Sequence, residues 1–151
     1  MDPWFSSVKT KWGTFGLEGT NQGVSRVMFP HRKMARLGAE ARGPGKNFAK
    51  YFKNPHVLSK HKLDLSRCTV FEKKVYRALC RVPAGAVISY SALAKKAGFR
   101  KASRAVGTAM KKNRLPILIP CHRVIREDGS LGNYSCGVKW KKLLLRHEGY
   151  L

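Results

Sequence analysis

Apolar positions fall into two regimes along the chain. Up to about residue 54 they come in short runs, and from residue 69 onward they recur at helical spacing. In the first regime, Thr14–Leu17 and Val24–Met28 read as short strands around a polar turn, Glu18–Gly23. Gly13 and Gly16 dilute the first of these, because glycine weakens a strand interior. His31 to Lys46 is basic and glycine-rich and reads as loop. Asn47 to Asn54 is predicted as a short helix: Asn47 can cap it, and Phe48, Tyr51 and Phe52 stand at i, i+3 and i+4. Pro55 to Leu65 is polar and reads as a linker.

The second regime opens with a capping box, Thr69-Val70-Phe71-Glu72. Phe71, Val75, Ala78 and Leu79 then form the buried face of a helix that Pro83 and Gly85 terminate. Ser89 caps a second helix carrying Leu93 and Ala94, stopped by Gly98. After a short turn, a third helix has an inner face of Ala102, Ala105, Val106, Ala109 and Met110. Its outer face is Lys101, Arg104, Thr108 and Lys111. Two helices joined by a short glycine-containing turn, the second with a basic outer face, describe a helix-turn-helix. Ser103 and Gly107 leave parts of that helix nearly bare, which serves either tight internal packing or close approach to a partner. A rigid apolar segment, Leu115–Pro120, leads into Cys121 and His122, and Glu127–Ser130 is a turn signal. In the last helix Trp140, Leu143, Leu144 and His147 share a face.

Charge sharpens this picture. The 151 residues hold 31 Lys and Arg against 8 Asp and Glu, a formal net charge of +23. No acid occurs from Lys73 to Arg126, a stretch with 14 basic residues, so the helix-turn-helix region is built to meet a polyanion. No apolar run approaches a membrane span, and the first residues lack the order of a signal peptide; the expectation is the cytosol, or the nucleus in a eukaryote. Four cysteines, at 68, 80, 121 and 136, form no CxxC pair, and without a secretion signal they are read as free thiols. Cys80, after Leu79, reads as a buried apolar residue. Cys121 stands between Pro120 and His122 and is a candidate nucleophile. The thiolate is the reactive species, and His122 and Arg123 are the neighbouring types that favour it.

Ile117-Leu118-Ile119-Pro120-Cys121-His122-Arg123-Val124 resembles the active-site signature of the O6-alkylguanine-DNA alkyltransferase family. Gly85–Tyr90 resembles that family's segment entering the helix-turn-helix. Ser103-Arg104-Ala105-Val106-Gly107 resembles its recognition helix, Asn113 its hinge asparagine, and Gly132–Ser135 and His147–Gly149 its remaining blocks. The resemblance runs from Phe71 to Gly149. It implies an α+β fold: a small N-terminal antiparallel β-sheet domain over 1–67, linker included, and a mostly helical C-terminal winged helix-turn-helix domain over 68–151. It implies repair of double-stranded DNA containing O6-alkylguanine by a monomer without a cofactor. The alkyl group would pass to Cys121 as a thioether, which thiol exchange does not reverse, so the protein would act once.

The same resemblance assigns roles. Glu148 orients His122, which acts through a water as base for Cys121. Tyr90 donates a proton to the departing guanine. Asn113 ties the recognition helix to the active-site turn, and Val124, Tyr134 and Ser135 line the guanine pocket. Arg104, Ser91, Ser103, Lys101, Thr108 and Lys111 face DNA. The base must leave the stack to be reached, and Arg104 fills its place from the minor groove. Some members hold a zinc in the N-terminal domain through Cys and His. Residues 1–67 here contain no cysteine, so no metal is expected, and His31, His56 and His61 read as surface residues. Two other readings stay open: a non-catalytic binder of alkylated DNA, and a helix-turn-helix regulator with Cys121 as a sensor thiol. Transfer of label from alkylated DNA to the protein separates them.

Overall fold

The computed structural model describes residues 3–32, 34, 43–57 and 61–151. The chain divides into two compact units, Met1–Arg67 and Cys68–Leu151.

The first unit is an antiparallel sheet in the order β1 (Trp4–Thr10), β2 (Gly13–Thr20), β3 (Gly23–Met28), packed by helix α1 (Pro44–Lys53). β1 has no counterpart in the sequence reading. Its Ser6, Ser7 and Val8 are all buried, so the in–out alternation that marks a half-exposed strand is missing. β2 runs on through Glu18–Thr20, where a turn is expected, and the chain reverses only at Asn21–Gln22. The glycines that mask β2 have a packing cause. A side-chain carbon on Gly16 would lie 2.2 Å from Met34 Cε, and one on Gly19 would lie 2.1 Å from the Trp4 ring. Phe15 collects the core: its ring lies 4.9 Å from Phe52 and 5.6 Å from Phe48, both on α1. That helix starts earlier than expected, with Pro44 in its first turn and Gly43, not Asn47, at the cap. Residues 33 and 35–42 of the expected His31–Lys46 loop lie outside the described residues, as do residues 58–60 of the expected linker. The end of that linker is structured. Val24 N donates to Lys62 O at 2.8 Å, and Asp64 N to Val24 O at 2.8 Å. His31 and His56 are exposed; His61 is half-buried, its Nε2 3.3 Å from Pro44 O.

The second unit holds α2 (Val70–Leu79), β4 (Ile88–Ser89), α3 (Tyr90–Lys96), α4 (Ser103–Lys111), β5 (Val124–Ile125) and α5 (Val138–His147). Thr69 and Glu72 form the expected capping box, and Ser89 caps α3 by accepting from Ala92 N. Val75, Leu79, Leu93, Val106 and Leu144 are fully buried together with Ile119 and Val124. The Tyr76 hydroxyl donates to Ala109 O at 2.7 Å and ties α2 to α4. β4 and β5 pair in parallel, Ile88 against Val124 and Ser89 against Ile125, which sets the start of α3 beside β5. Cys80, Ala105 and Lys101 depart from expectation. Cys80 is exposed rather than buried, because it closes α2, with Sγ 3.8 Å from Leu118 O. Ala105 is exposed, and Lys101 lies ahead of α4 in the turn at φ 65°, not on its outer face. In α5 the buried face is Lys141, Leu144 and Leu145, with Trp140, Leu143 and His147 only half-buried. A lysine at the centre of a buried face defeats a reading that sorts residues by polarity.

Candidate active site

The segment after α4 is folded back on itself by one side chain. Asn113 Oδ1 accepts from Leu115 N at 2.9 Å, and Asn113 Nδ2 donates to Ile119 O at 3.0 Å. The loop between includes Ile117 at φ 75°, a conformation costly for a β-branched residue, so the clamp holds strain in place. Cys121 follows on a single 3₁₀ turn, Cys121–Arg123, and is 4% exposed. Burial pushes its thiol above the ordinary range and outweighs the nearby Asn113 amide, Tyr134 phenol and Lys141 charge, which pull it down. The resting site therefore keeps the thiol protonated, and a base must remove the proton.

A candidate for that base stands next in sequence. His122 is fully buried, and its Nε2 is hydrogen-bonded to Glu148 Oε1, from the residue that closes α5. Burial lowers the imidazole pKa and outweighs the carboxylate's pull, so the ring is neutral. With Nε2–H given to the carboxylate, Nδ1 carries the free lone pair, and this buried atom has no protein partner among the described residues. Arg123 does not face the cysteine. Its Nε and Nη2 donate to the Glu148 carboxylate at 2.9–3.1 Å, and its Nη1 to Val82 O at 2.6 Å. Burial would raise the Glu148 pKa, yet the bonds from His122 and Arg123 prevail and hold it at about 2. The cation near the thiol is Lys141, 1% exposed, whose Nζ donates to Val124 O at 2.7 Å and also to Leu131 O.

Cys121 forms part of the wall of a cavity of about 600 Å³, a size typical of small-molecule sites. Of the residues expected to line a guanine pocket, Tyr134 and Ser135 line it. Val124 does not, and its carbonyl receives Lys141. Tyr90, the first residue of α3, is on the wall, half-buried, its phenol pKa raised by burial. From α4 come Ser103, Arg104 and Lys111. Thr108 is exposed and bonds back to Arg104 O at 3.2 Å, and Lys101 stands in the turn before the helix. Ser91 is engaged: its N–H and hydroxyl both donate to the Glu127 carboxylate. Gly107 is not squeezed by the protein. A side-chain carbon there would meet only Tyr90, at an ordinary 3.9 Å, so internal packing does not require a small residue. Among the described residues no group of His, Cys, Asp and Glu could hold a metal ion, and no helix is long and apolar enough to cross a membrane.

Two site residues are missing from the sequence reading. Lys141 gives one signal in retrospect, a basic residue on the apolar face of α5, three positions before Leu144. Arg126, on the cavity wall, gives none, since it is one basic residue among many.

The family model for the 6-O-methylguanine DNA methyltransferase DNA-binding domain matches residues 70–150. The human methylated-DNA--protein-cysteine methyltransferase is 43% identical over 106 residues, 66% of this chain and 51% of that protein. The chain spans about half the length of the curated relatives it matches. Two solved structures cover nearly all of it. The O6-methylguanine-DNA methyltransferase of Pyrococcus kodakaraensis superposes with a TM-score of 0.75 at 31% identity, over 97% of this chain and 99% of that one. Mycobacterium tuberculosis OGT in complex with DNA gives 0.76 at 28% identity, over 95% and 91%. With more than half of its residues inside the family model, and an α+β fold shared with these structures, the chain belongs to the 6-O-methylguanine DNA methyltransferase family.

Proposed function

We propose that this chain repairs DNA by moving an alkyl group from O6 of guanine in the duplex onto Cys121, once per molecule. The carrying observation is that one cavity brings together Cys121, Tyr90 and the exposed face of α4, with a buried His122–Glu148 pair beside the cysteine. A base within a duplex cannot reach a buried thiol, so the alkylated guanine turns out of the stack into the cavity, at a cost of a few kcal/mol. Arg104 takes its place, and the bare surface at Gly107 lets α4 approach the backbone closely. The relative from M. tuberculosis solved with DNA supports a nucleic-acid partner.

His122 Nδ1, through a bridging water, takes the Cys121 proton, while Glu148 holds the ring in the Nε2–H tautomer and steadies the imidazolium that forms. Positive charge from Lys141 and the polar groups of Asn113 and Tyr134 close by favour the thiolate as it appears. Sulfur then attacks the alkyl carbon: the S–C bond forms, the C–O6 bond breaks, and its electron pair leaves with guanine. Tyr90 supplies a proton to the departing ring. Intact mass after incubation with O6-methylguanine-containing duplex tests the reading. The wild type gains one methyl group on Cys121, and Cys121→Ser gains none while still binding DNA. Methylation retained in the variant, at Cys68, Cys80 or Cys136, would overturn the assignment.

A further inference from the structure

The cavity has a cation that nothing above uses. Arg126, just beyond β5, lies on the same wall set as Cys121, Tyr90 and Ser135, and it comes from a different element than Arg104 and Lys111 on α4. It is exposed, and its side chain makes no hydrogen bond or salt bridge among the described residues. Neither neighbouring carboxylate is hydrogen-bonded to it: Glu127 bonds Ser91, and Asp128, which feels Arg126 only as a charge through space, accepts from the Ser130 hydroxyl at 2.6 Å. The arm is nevertheless placed. It lies along Gly132, where a side-chain carbon would come within 3.3 Å of Nε and 3.4 Å of Cγ. Gly132, at φ 72°, thus leaves the space the arginine occupies.

A guanine that reaches Cys121 with its O6 edge points its glycosidic nitrogen back toward the opening, which brings its own sugar and phosphate to the rim. An exposed guanidinium with no hydrogen-bonded carboxylate among the described residues is suited to that phosphate, since it is permanently charged and can present two parallel N–H donors. We propose that Arg126 binds the phosphate of the extruded nucleotide, so that the protein recognises a nucleotide and not merely a base. This rests on the function proposed above. It divides the labour among the cations: Arg104 in the vacated stack, Arg126 on the nucleotide that has left it.

The test uses four small substrates and no duplex: O6-methylguanine, its 2′-deoxynucleoside, and the 5′- and 3′-monophosphates of that nucleoside. The rate of methyl transfer to Cys121 is read by intact mass. In the wild type at low salt one monophosphate reacts about five-fold faster than the nucleoside, the scale of an exposed charge-assisted contact. The advantage shrinks as salt is raised. In Arg126→Ala the ratio of nucleotide to nucleoside rates falls to about one, and Arg126→Lys keeps part of it. A ratio is independent of how much protein is folded. It is also blind to an effect of Arg126 through Tyr90, which would slow all four substrates in step. A ratio of one in the wild type, or one unchanged by Arg126→Ala, overturns the inference while leaving the alkyl transfer intact. No transfer from any of the four, nor from alkylated duplex, overturns the functional reading itself.

Discussion

Arg123 and Lys141 are buried in the second unit, and Arg104 and Lys111 stand on α4, on the wall of the cavity that Cys121 lines. All four are cations of one compact unit, yet the first two are 8% and 1% exposed and bonded on several sides, whereas the second two face water. Removing a charge from the first pair leaves buried partners unsatisfied, which costs stability. Removing one from the second pair costs attraction for a polyanion, which salt screens. Net charge alone cannot make this division; the fold does, by deciding which cations are surrounded.

The largest effect belongs to the buried cluster. Glu148→Gln leaves the Arg123 guanidinium without its counter-charge, and breaking a buried pair of this kind costs about 3–5 kcal/mol. At roughly 2–4 °C per kcal/mol for a chain of this length, a thermal melt resolves it. Folding lowers the Glu148 pKa from 4.5 to about 2, so its contribution is complete above pH 4.5 and fades as pH falls toward 2. The gap between wild type and variant should close across that window, and a gap independent of pH would show that the carboxylate's charge is not what stabilises.

Next comes Lys141→Met, which leaves Val124 O and Leu131 O without their donor, for a loss of roughly 2–3 kcal/mol. Here too stability rises with pH, but through relief of a burial penalty on the charged form. Burial lowers the Lys141 pKa from 10.5 to about 8, so the wild type gains stability from this group as pH rises from 8 to 10.5. The difference in melting temperature between the two proteins should widen over that interval. A constant difference would mean that the lysine serves only as a spacer.

Arg104→Ala should leave the melting temperature nearly unchanged and slow repair of duplex DNA on the order of ten-fold more than repair of free O6-methylguanine, because filling the stack matters only where there is a stack. Equal slowing of both substrates would move Arg104 into the chemistry. The smallest effect is Lys111→Ala. The slope of log affinity against log salt should fall by about 0.9, one phosphate's worth, with little change in transfer from the free base. A loss of stability comparable to that of Lys141→Met would erase the distinction between the two pairs.

How much of this was legible beforehand differs between the two units. In the second, the capping box at Thr69, the Ser89 cap, the α3–turn–α4 motif and the order of the motif blocks are local patterns, and local patterns survive without tertiary context. In the first, β1 and the far half of β2 are hidden because several consecutive residues are buried and the glycines answer to Trp4 and Met34, distant in sequence. The same cause hides the end of the expected linker, which pairs with Val24 across about forty positions.

The sequence by itself singled out Cys121 as a candidate nucleophile, with His122, Glu148 and a basic helix, because these are residue types in a recognisable order. It also determined the helices of the second unit, whose spacing and caps are written within a few residues. Only the tertiary structure decided where each polar group goes: Arg123 to Glu148 instead of the thiol, Lys141 to the Val124 and Leu131 carbonyls, Ser91 to Glu127, and Arg126 to the cavity wall. The physical reason is that hydrogen bonding and burial depend on neighbours brought together by packing. A lysine or arginine carries the same charge in the chain whether it is later enclosed by carbonyls or left facing water.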